Sequence, residues 1–485
     1  DAKSMVVGCL TENHDLPIDS MINPEDDKAM REFVTNFVNN NLIYNDIGKI
    51  YEIKFPIINN NDINPNFNNA KRMLLSKVSS MRDSDYSEYN DLIQDLVKDN
   101  IVQPTEIIPN SGYHMPHNVV TRKATSEKTT TKKRLVFNAS NGINSLNQAL
   151  FKGVTTWSLP KSLLQFRLKQ IALVADIKAA FHCVYIQKDH QKYVKFLWKE
   201  NNQLVCYKFL RLPFGLTSSP FLLNIVINHH IEKYVHEFPE IVSAIQSSLY
   251  VDDLVSLVNT IQEAIDLHKV STNIFKEASM VLRKWQCSDP QLDKQWSDGL
   301  DESKVLGIIW NKIDDNIQIV IPSIDLSADI TKRYLLGIIG SVYDPMGLIV
   351  PTVLRLKFFI SDLWTRKIDW DDVLTPKLHG NAVTILNEIK ELKNIKLSRK
   401  LFNSPSSNYD LIIFCDASNI AIGVAVYLSN GSEARYIYGK SKLLKPRKTV
   451  TGELLALSKG ASIGNAFKSM IQINKTILVS DSKVN

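Results

Sequence analysis

The spacing of apolar residues predicts helices in the first hundred residues. Apolar positions recur at i, i+3, i+4, i+7 and i+8 over residues 30–38, and Asn23-Pro24 resembles a helix start. Similar helical patterns cover residues 70–81 and 89–97. The asparagine-rich stretch over 39–69 lacks this period, so it predicts loop or extended chain.

Two apolar runs in the middle of the chain end at or surround acidic residues. Residues 171–176 have the composition of a buried strand that ends at Asp176, and residues 248–257 place two apolar arms around Asp252 and Asp253. The second pattern predicts a hairpin with both acids at its tip. That turn has no glycine and carries two like charges, so it is locally unfavourable. A divalent metal ion would neutralise it; the alternatives are a solvated turn and, for Asp176, a helix cap.

A basic hairpin is predicted over residues 113–137. Two β-rich arms surround a polar tip, where Glu127 is outnumbered by Arg122, Lys123, Lys128, Lys132, Lys133 and Arg134. Cationic side chains offset phosphate charge, so this hairpin suits a triphosphate or a nucleic-acid backbone. The alternative is a solvated basic loop.

Length and composition narrow the class of protein. A chain of 485 residues predicts two to four domains, and 44% hydrophobic with 22% charged residues is typical of globular proteins. The net charge of +6 permits a polyanionic partner. The 5 cysteines are far apart, which predicts reduced thiols in an intracellular protein. Asp344-Pro345 and Pro351 interrupt the most apolar region, so no membrane span is predicted.

The order of these motifs resembles the reverse transcriptases of LTR retroelements. After the basic hairpin come Asp176 and Phe181, the Leu-Pro-Phe-Gly turn at 212–215, and Tyr-Val-Asp-Asp at 250–253. The closest resemblance is to the BEL/Pao group of retrotransposon polyproteins. Stretches similar to that group are 282–285, 304–311, 341–348 and 363–372. The resemblance covers residues 50–485.

This resemblance implies an α+β fold with the architecture of a right-hand polymerase. We expect fingers, a ferredoxin-like palm, a thumb, a connection region and a partial α/β domain similar to ribonuclease H. The implied units are an N-terminal segment (1–49), fingers and palm (50–320), thumb and connection (321–405) and the ribonuclease H-like domain (406–485). The first residue, Asp1, is not methionine, and the chain stops soon after Asp481, so we expect a piece of a longer polyprotein.

The resemblance also implies an RNA-directed DNA polymerase that uses two Mg²⁺ ions, with Mn²⁺ as the alternative ion. Asp176 and Asp252 would bind both ions, Asp253 would support them, and the main-chain carbonyl of Ile177 would add a ligand. Such ions prefer oxygen ligands and stabilise the attacking and leaving oxygens of phosphoryl transfer. A structure that separates Asp176 from the 252–253 turn, or that puts a basic side chain between them, would contradict this site.

Further residues are implied to contact the incoming deoxynucleotide (dNTP). Arg134 with Lys132 or Lys133 would hold the triphosphate. Phe181 would exclude a 2′-OH, the group that separates ribonucleotides from deoxyribonucleotides; the alternative is a plain core residue. Other implied substrate-binding residues are Phe214, Gly215 and Tyr250, although retroviral enzymes carry Gln at the position of Phe214.

The implied partners are an RNA template, a DNA primer and an RNA·DNA hybrid, without a membrane and with the oligomeric state left open. Residues 304–310 resemble the primer grip, a hairpin that positions the primer end; the alternative is a core strand. Location in a cytoplasmic virus-like particle is implied, with the nucleus as the alternative.

The acids Asp416, Glu453 and Asp481 resemble, in this order, the metal-binding residues of ribonuclease H. They would activate water to cut the RNA strand of a hybrid. Separately, each has a plainer interpretation, as a turn starter, a surface helix residue and a cap. The fourth acid of that family is expected beyond Asn485, so hydrolysis by this chain is left open.

Two other functions stay open at this point. A domesticated or decayed element would bind nucleic acid without catalysis, and Asn138, where related elements usually have Asp, favours that interpretation. The intact Asp176, Asp252 and Asp253 argue against it. A nuclease whose polymerase part is only a scaffold is the third hypothesis.

Overall fold

The computed structural model describes residues 24–58, 63–122, 132–153, 159–297, 302–404, 406, 408–444 and 449–482. The helices predicted over 30–38, 70–81 and 89–97 are confirmed as the first three helices of the described residues. The N-terminal elements are α1 (Pro24–Asn41), β1 (Leu42–Asn45), β2 (Ile50–Ile53), α2 (Phe67–Ser79), α3 (Asp83–Lys98), β3 (Val102–Thr105), β4 (His117–Arg122), β5 (Lys132–Phe137) and α4 (Leu146–Ala149).

The centre of the molecule is a sheet with strand order β10-β11-β6-β12. Its strands and their neighbours are α5 (Leu159–Leu168), β6 (Ile171–Ile177), β7 (Val184–Ile186), β8 (Lys195–Glu200), β9 (Gln203–Phe209), α6 (Ser219–Glu232), α7 (Pro239–Ser248), β10 (Leu249–Tyr250), β11 (Asp253–Val258), α8 (Ile261–Lys276), β12 (Leu282–Cys287) and α9 (Pro290–Trp296). Antiparallel neighbours flank β6 on both sides, and its Ala172 and Leu173 are fully buried. The apolar run that predicted a buried strand is therefore confirmed.

A second sheet, with strand order β3-β9-β8, packs against the N-terminal helices. Trp198 of β8 is fully buried and stacks on Tyr86 and Tyr89 of α3, with ring centroids 5.4 and 4.7 Å apart. Stacked aromatic rings add to the stabilisation that burial alone provides. This contact holds α3 against the sheet.

The following region combines a small sheet with helices. Its elements are β13 (Glu302–Val305), β14 (Ile308–Asn311), β15 (Asn316–Gln318), α10 (Lys332–Ser341), α11 (Val350–Thr365), α12 (Pro376–Glu391) and β16 (Lys396–Ser398). The sheet has the order β13-β14-β15-β16, so the chain returns to it after the helices. The amine of Lys332 lies 3.6 and 5.2 Å from the ring centroids of Trp364 and Trp370. This cation–π contact gives the BEL/Pao-like stretch 363–372 a structural role.

The C-terminal unit is an α/β sheet with strand order β19-β18-β17-β20. It comprises β17 (Tyr409–Ala417), β18 (Ala421–Ser429), β19 (Ala434–Leu443), α13 (Thr449–Met470) and β20 (Ile473–Val479). β17 pairs antiparallel with β18 and parallel with β20. The domain boundaries at residues 49, 320 and 405 stay predictions. Among the described helices, none combines the length and apolarity needed to cross a bilayer.

A buried arginine joins the helix α5 to the β15–β16 sheet. Arg399 has 0% of its surface exposed. Its guanidinium donates to both carboxylate oxygens of Asp315 at 2.6 and 2.7 Å, and to the carbonyls of residues 166, 169 and 170. Arg399 thus pairs with a carboxylate and also satisfies carbonyls at the C-terminal end of α5, which have no partner within the helix.

A second buried arginine extends this junction to the C-terminal sheet. The guanidinium of Arg167 donates to the carbonyls of Arg399 and Tyr436, 3.3 and 3.1 Å away. Burial is the largest cause that lowers the pKa of Arg167, to about 10, and the charge of Arg399 adds to it. The helix α5, the small sheet and β19 therefore share one hydrogen-bonded junction.

We predict that Arg399→Met destabilises the protein by about 3–5 kcal/mol, because it leaves the Asp315 carboxylate and several carbonyls without their partner. Urea unfolding followed by tryptophan fluorescence measures the change. Arg333→Ala is the control, since that arginine forms a solvent-exposed pair with Asp371 and its loss should leave the midpoint nearly unchanged. Equal midpoints for the two variants would contradict the role of the junction.

Candidate active site

The acids predicted to act together lie at one end of the central sheet. Asp176 is near the end of β6, Asp253 is the first residue of β11, and the two are direct cross-strand partners. The amide of Ile177 donates to the carbonyl of Asp252 at 2.9 Å. Strand pairing therefore brings Asp176 beside the 252–253 pair, although these positions are far apart in the sequence.

The turn itself corrects one detail of the sequence interpretation. Tyr250 pairs with Asp253, so the two-residue turn is Val251-Asp252, and Asp253 lies in β11 instead of at the tip. Val251 has a φ of +57°. A β-branched residue rarely adopts this left-handed conformation, which costs on the order of 1–3 kcal/mol. The unfavourable local sequence of the turn is thus matched by a strained backbone.

Burial and mutual repulsion raise the pKa values of the acids in this turn. Burial is the largest cause for Asp253, whose pKa rises to about 6, and the charges of Asp252 and Asp176 contribute further. Burial likewise raises the pKa of Asp252, with a smaller contribution from Asp176. Because ionised carboxylates are disfavoured here, a bound cation would stabilise the charged forms.

Asp176 also contacts two basic residues, to which the sequence analysis gave no chemical role. Arg283 Nε and Nη2 lie 3.2 and 3.0 Å from Asp176 Oδ2, and Lys284 Nζ lies 3.5 Å from the same oxygen. Both belong to β12, which pairs with β6 on the side opposite β11. Arg283 is the cross-strand partner of Asp176 on the side opposite Asp253, whereas Lys284 lies near all three acids, because its charge also opposes the rise in the pKa values of Asp252 and Asp253. Adjacent Arg and Lys residues within a strand pattern were the signal in the sequence.

The remaining oxygen of Asp176 suits a hard cation. Oδ1 is buried and has no hydrogen-bond partner among the described residues. Carboxylate oxygens are the ligands that Mg²⁺ prefers. The unpartnered oxygen and the raised pKa values of Asp252 and Asp253 therefore fit a divalent ion bound between β6 and the turn.

An aromatic wall follows the end of β6. The ring of Phe181 meets that of Phe214 edge to face, with centroids 4.9 Å apart and an interplanar angle of 85°. The next residue, Gly215, has a φ of +97°, and a Cβ there would lie 2.5 Å from the carbonyl oxygen of Phe137. Only glycine fits this position. The predicted substrate-binding residues Phe181, Phe214 and Gly215 are thus brought together.

The basic hairpin extends from this wall, because Gly215 packs against the end of β5. Arg134 pairs with Val120 across the hairpin, and its side chain is exposed. Lys133 forms an ion pair with Glu88 of α3. The side chain of Lys132 and all of residues 123–131 lie outside the described residues. Within the described part of the predicted triphosphate-binding set, Arg134 is the exposed cation.

The hairpin β13–β14, predicted as a primer grip or a core strand, packs on β11. Val305 and Ile308 share a buried cluster with Val255 and Leu257 of β11, and Tyr250 packs against this cluster. The hairpin contributes core residues and also lies next to the aspartate turn. Tyr250 therefore occupies the space between the two hairpins.

The second acidic set is brought together by the C-terminal sheet. Asp416 is on β17, Glu453 is on α13, and Asp481 follows β20. Among the described residues, the ligand oxygens of these three acids all lie within 4.8 Å of one another. Burial, followed by the charges of Asp416 and Asp481, raises the pKa of Glu453. One of its oxygens, Oε2, is buried and has no hydrogen-bond partner among the described residues.

Two family profiles match the chain in the order that the motifs predicted. The profile described as “Reverse transcriptase (RNA-dependent DNA polymerase)” matches residues 76–288. The profile described as “Pao retrotransposon-like RNaseH-like domain” matches residues 331–482. The two matches support a Pao/BEL-type retrotransposon polyprotein with a reverse transcriptase followed by the start of a ribonuclease H domain. The first profile spans β6, the aspartate turn and the aromatic wall, and the second spans α10–α12 and the second acidic set.

Solved structures with this fold include foamy viral protease-reverse transcriptases. One, in complex with an RNA/DNA hybrid, has a TM-score of 0.59 and 15% identity, and the alignment covers 98% of this chain and 57% of that one. A dRH form with double-stranded DNA has a TM-score of 0.55 and 16% identity, covering 98% and 75%. A complex with double-stranded DNA has a TM-score of 0.54 and 16% identity, covering 99% and 89%.

At these identities the likeness shows the fold alone. The predicted α+β polymerase architecture is confirmed. The chain spans little more than half the length of the first of these proteins, at 57%. No curated protein matches it in sequence.

We predict that Asp253→Asn stabilises the metal-free protein at pH 7.5 by about 1–3 kcal/mol, because it removes a carboxylate whose ionised form is disfavoured by burial. The pKa is raised in the fold, so the penalty exists above about pH 6 and disappears as the pH falls towards 3.8. Urea unfolding in EDTA at several pH values measures the gain. Asp91→Asn, at an exposed position of α3, is the control. A gain that is independent of pH would contradict the prediction.

Proposed function

We propose that the chain is an RNA-directed DNA polymerase that adds deoxynucleotides to a primer on an RNA or DNA template. The cross-strand pairing of Asp176 with Asp253, beside the strained turn that carries Asp252, is the observation on which this proposal rests. The match of residues 76–288 to the reverse transcriptase profile supports the same conclusion.

Divalent cations, two Mg²⁺ with Mn²⁺ as the alternative, would be held by Asp176 Oδ1, Asp252, Asp253 and the carbonyl of Ile177. When bound, they stabilise the attacking 3′-oxygen of the primer and the leaving pyrophosphate oxygen. The chain supplies a rigid pair of strands that orients the carboxylates. Arg283 and Lys284 contact Oδ2 of Asp176 and offset part of the negative charge of this carboxylate.

The incoming dNTP would lie between the aspartate turn and the aromatic wall. In this arrangement Arg134, with Lys132 or Lys133, binds the triphosphate, and Gly215 allows close approach of the nascent base pair. Phe181 closes the space next to the C2′ atom of the sugar, supported by Phe214. Exclusion of the 2′-OH then follows from the volume of the ring.

The proposed partners are an RNA template, a DNA primer and their hybrid. The foamy viral proteins that share this fold were solved with an RNA/DNA hybrid and with double-stranded DNA. The net charge of +6 favours binding of a polyanion. The interpretation as a domesticated, inactive element is disfavoured by the arrangement of the acids. Its supporting residue, Asn138, accepts a bond from the amide of Ser140 at 2.9 Å, a turn contact that Asp would also make.

A second function is supported by the trio Asp416, Glu453 and Asp481. Carboxylate oxygens within 4.8 Å of one another suit a divalent ion, and Glu453 keeps an unpartnered buried oxygen. We propose that this trio binds divalent cations and takes part in cutting the RNA strand of a hybrid. The nuclease activity would then complement synthesis by the polymerase site.

We predict that Asp252→Asn lowers the rate of primer extension on an RNA template with Mg²⁺ by on the order of 10³-fold, because an amide is a poorer ligand than a carboxylate. A gel-based extension assay measures synthesis, and fluorescence anisotropy measures binding of the primer–template, which should not change. Asp91→Asn is the matched control. Full activity of Asp252→Asn would overturn the site, and binding without extension by the wild type would favour the inactive alternative.

Replacement of Phe181 is expected to change the selection of deoxyribonucleotides over ribonucleotides. Phe181→Val should raise the ratio of ribonucleotide to deoxyribonucleotide incorporation by about 10-fold or more, because a smaller side chain leaves space for the 2′-OH. Single-nucleotide extension with each substrate measures the ratio. The control is Phe414→Val, which changes an exposed phenylalanine of the C-terminal sheet. Unchanged selectivity would refute the role of Phe181.

A further inference from the structure

The stretch 341–348, which resembles the BEL/Pao group, connects α10 with α11 and has no part in the proposed chemistry. Its tyrosine, Tyr343, reaches back to the β13–β14 hairpin. The hydroxyl of Tyr343 donates to the carbonyl of Leu306 at 2.9 Å. Its backbone also forms an isolated antiparallel bridge with Val320.

The turn that Tyr343 contacts is tight and conformationally restricted. Val305 pairs with Ile308, so Leu306 and Gly307 form a two-residue turn, with φ of +49° and +85°. A Cβ on Gly307 would lie 2.5 Å from the Tyr343 ring. The ring therefore rests directly on the turn, and the hydrogen bond to Leu306 holds a residue whose left-handed backbone is unfavourable for leucine.

This turn lies beside the proposed catalytic residues. Val305 and Leu306 pack in the same buried cluster as Val255 of β11, and Tyr250 packs against that cluster. Burial raises the pKa of Tyr343 to about 12, with a contribution from Tyr250, so that its hydroxyl keeps its proton and can donate. A displacement of the Leu306-Gly307 turn would therefore shift the residues at the end of the aspartate hairpin.

The other end of the stretch is fixed. The carboxylate of Asp344 accepts from the amides of Leu348 and Ile349 at 2.9 and 2.8 Å, immediately before α11. Gly347 packs so closely on Gly439 of β19 that a Cβ would collide with the carbonyl of Gly439. These contacts make the segment a firm support for the Tyr343 ring.

The segment is also bonded to the C-terminal sheet. The amide of Gly439 donates to the carbonyl of Met346 at 2.9 Å, and the hydroxyl of Tyr436 donates to the carbonyl of Gly347 at 2.7 Å. One side of the segment thus contacts the hairpin beside the aspartate turn, and the other contacts β19. The two tyrosine hydroxyls make comparable bonds on opposite sides.

We propose that Tyr343 is a positioning residue: it holds the Leu306-Gly307 turn beside the aspartate hairpin and thereby fixes where the 3′ end of the primer lies. The proposal rests on the proposed polymerase function. Tyr343 acts through the turn, by its ring on Gly307 and its hydrogen bond to Leu306. Its loss should lower the rate of the chemical step and not the affinity for primer–template.

The test compares Tyr343→Ala with Tyr343→Phe in the full chain by single-turnover nucleotide incorporation. Loss of the ring should lower the maximal rate by about 10- to 100-fold, since small misplacements of reacting groups have effects of that size. Loss of the hydroxyl alone should lower it by about 3- to 10-fold. The Kd for primer–template, from anisotropy, should change by less than about 3-fold in both variants. If Tyr343→Ala does not fold, Tyr343→Phe, which keeps the ring, decides the matter.

Tyr436→Phe is the matched control, because it removes a similar hydroxyl bond from the other side of the same segment. It should leave the maximal rate unchanged. Wild-type rates in both Tyr343 variants, a weaker Kd with an unchanged rate, or an equal loss in Tyr436→Phe would each overturn the proposal. A wild-type chain that fails to extend any primer would instead overturn the polymerase function on which the proposal rests.

Discussion

Negative charge gathered at one end of a hydrogen-bonded sheet is the constraint around which the rest of this fold is arranged. The pairing of β6 with β11 places Asp176 opposite Asp253, and the strained turn adds Asp252. Backbone hydrogen bonds and buried apolar side chains hold these strands together against the repulsion of the acids. Arg283 and Lys284, on the other neighbour of β6, offset part of the charge. The negative charge that remains uncompensated is what a cation-binding site requires.

Buried cations join the parts of the molecule around this centre. Arg399 and Arg167 connect α5 with β15, β16 and β19 through a carboxylate and main-chain carbonyls. The 341–348 segment contacts both the β13–β14 hairpin and the C-terminal sheet. Such buried polar contacts are directional, because an unpaired charge inside the protein is strongly unfavourable. They therefore fix the relative positions of the two acidic sets more specifically than apolar packing would.

Much of the local structure followed from periodicity and from the ends of apolar runs. The helices α1–α3 and the buried strand β6 were predicted, because burial imposes a period on the side chains. The position of the aspartate turn was misjudged by one residue. Turn identity depends on strand register, which neighbouring strands decide. Arg283 was given no chemistry, since a basic residue in a strand pattern is indistinguishable from a solvated one until its cross-strand partner is known.

The sequence by itself determined which residue types could perform the chemistry and the order in which they occur: acids after apolar strands, a bulky ring after Asp176, and a glycine at 215. Only the tertiary structure decided which of them meet. It paired Asp176 with Asp253 on one side and Arg283 on the other, and it gathered Asp416, Glu453 and Asp481 within 4.8 Å. The reason is physical: periodicity records whether a side chain faces the core, whereas its neighbours depend on strand order and register, which long-range packing selects.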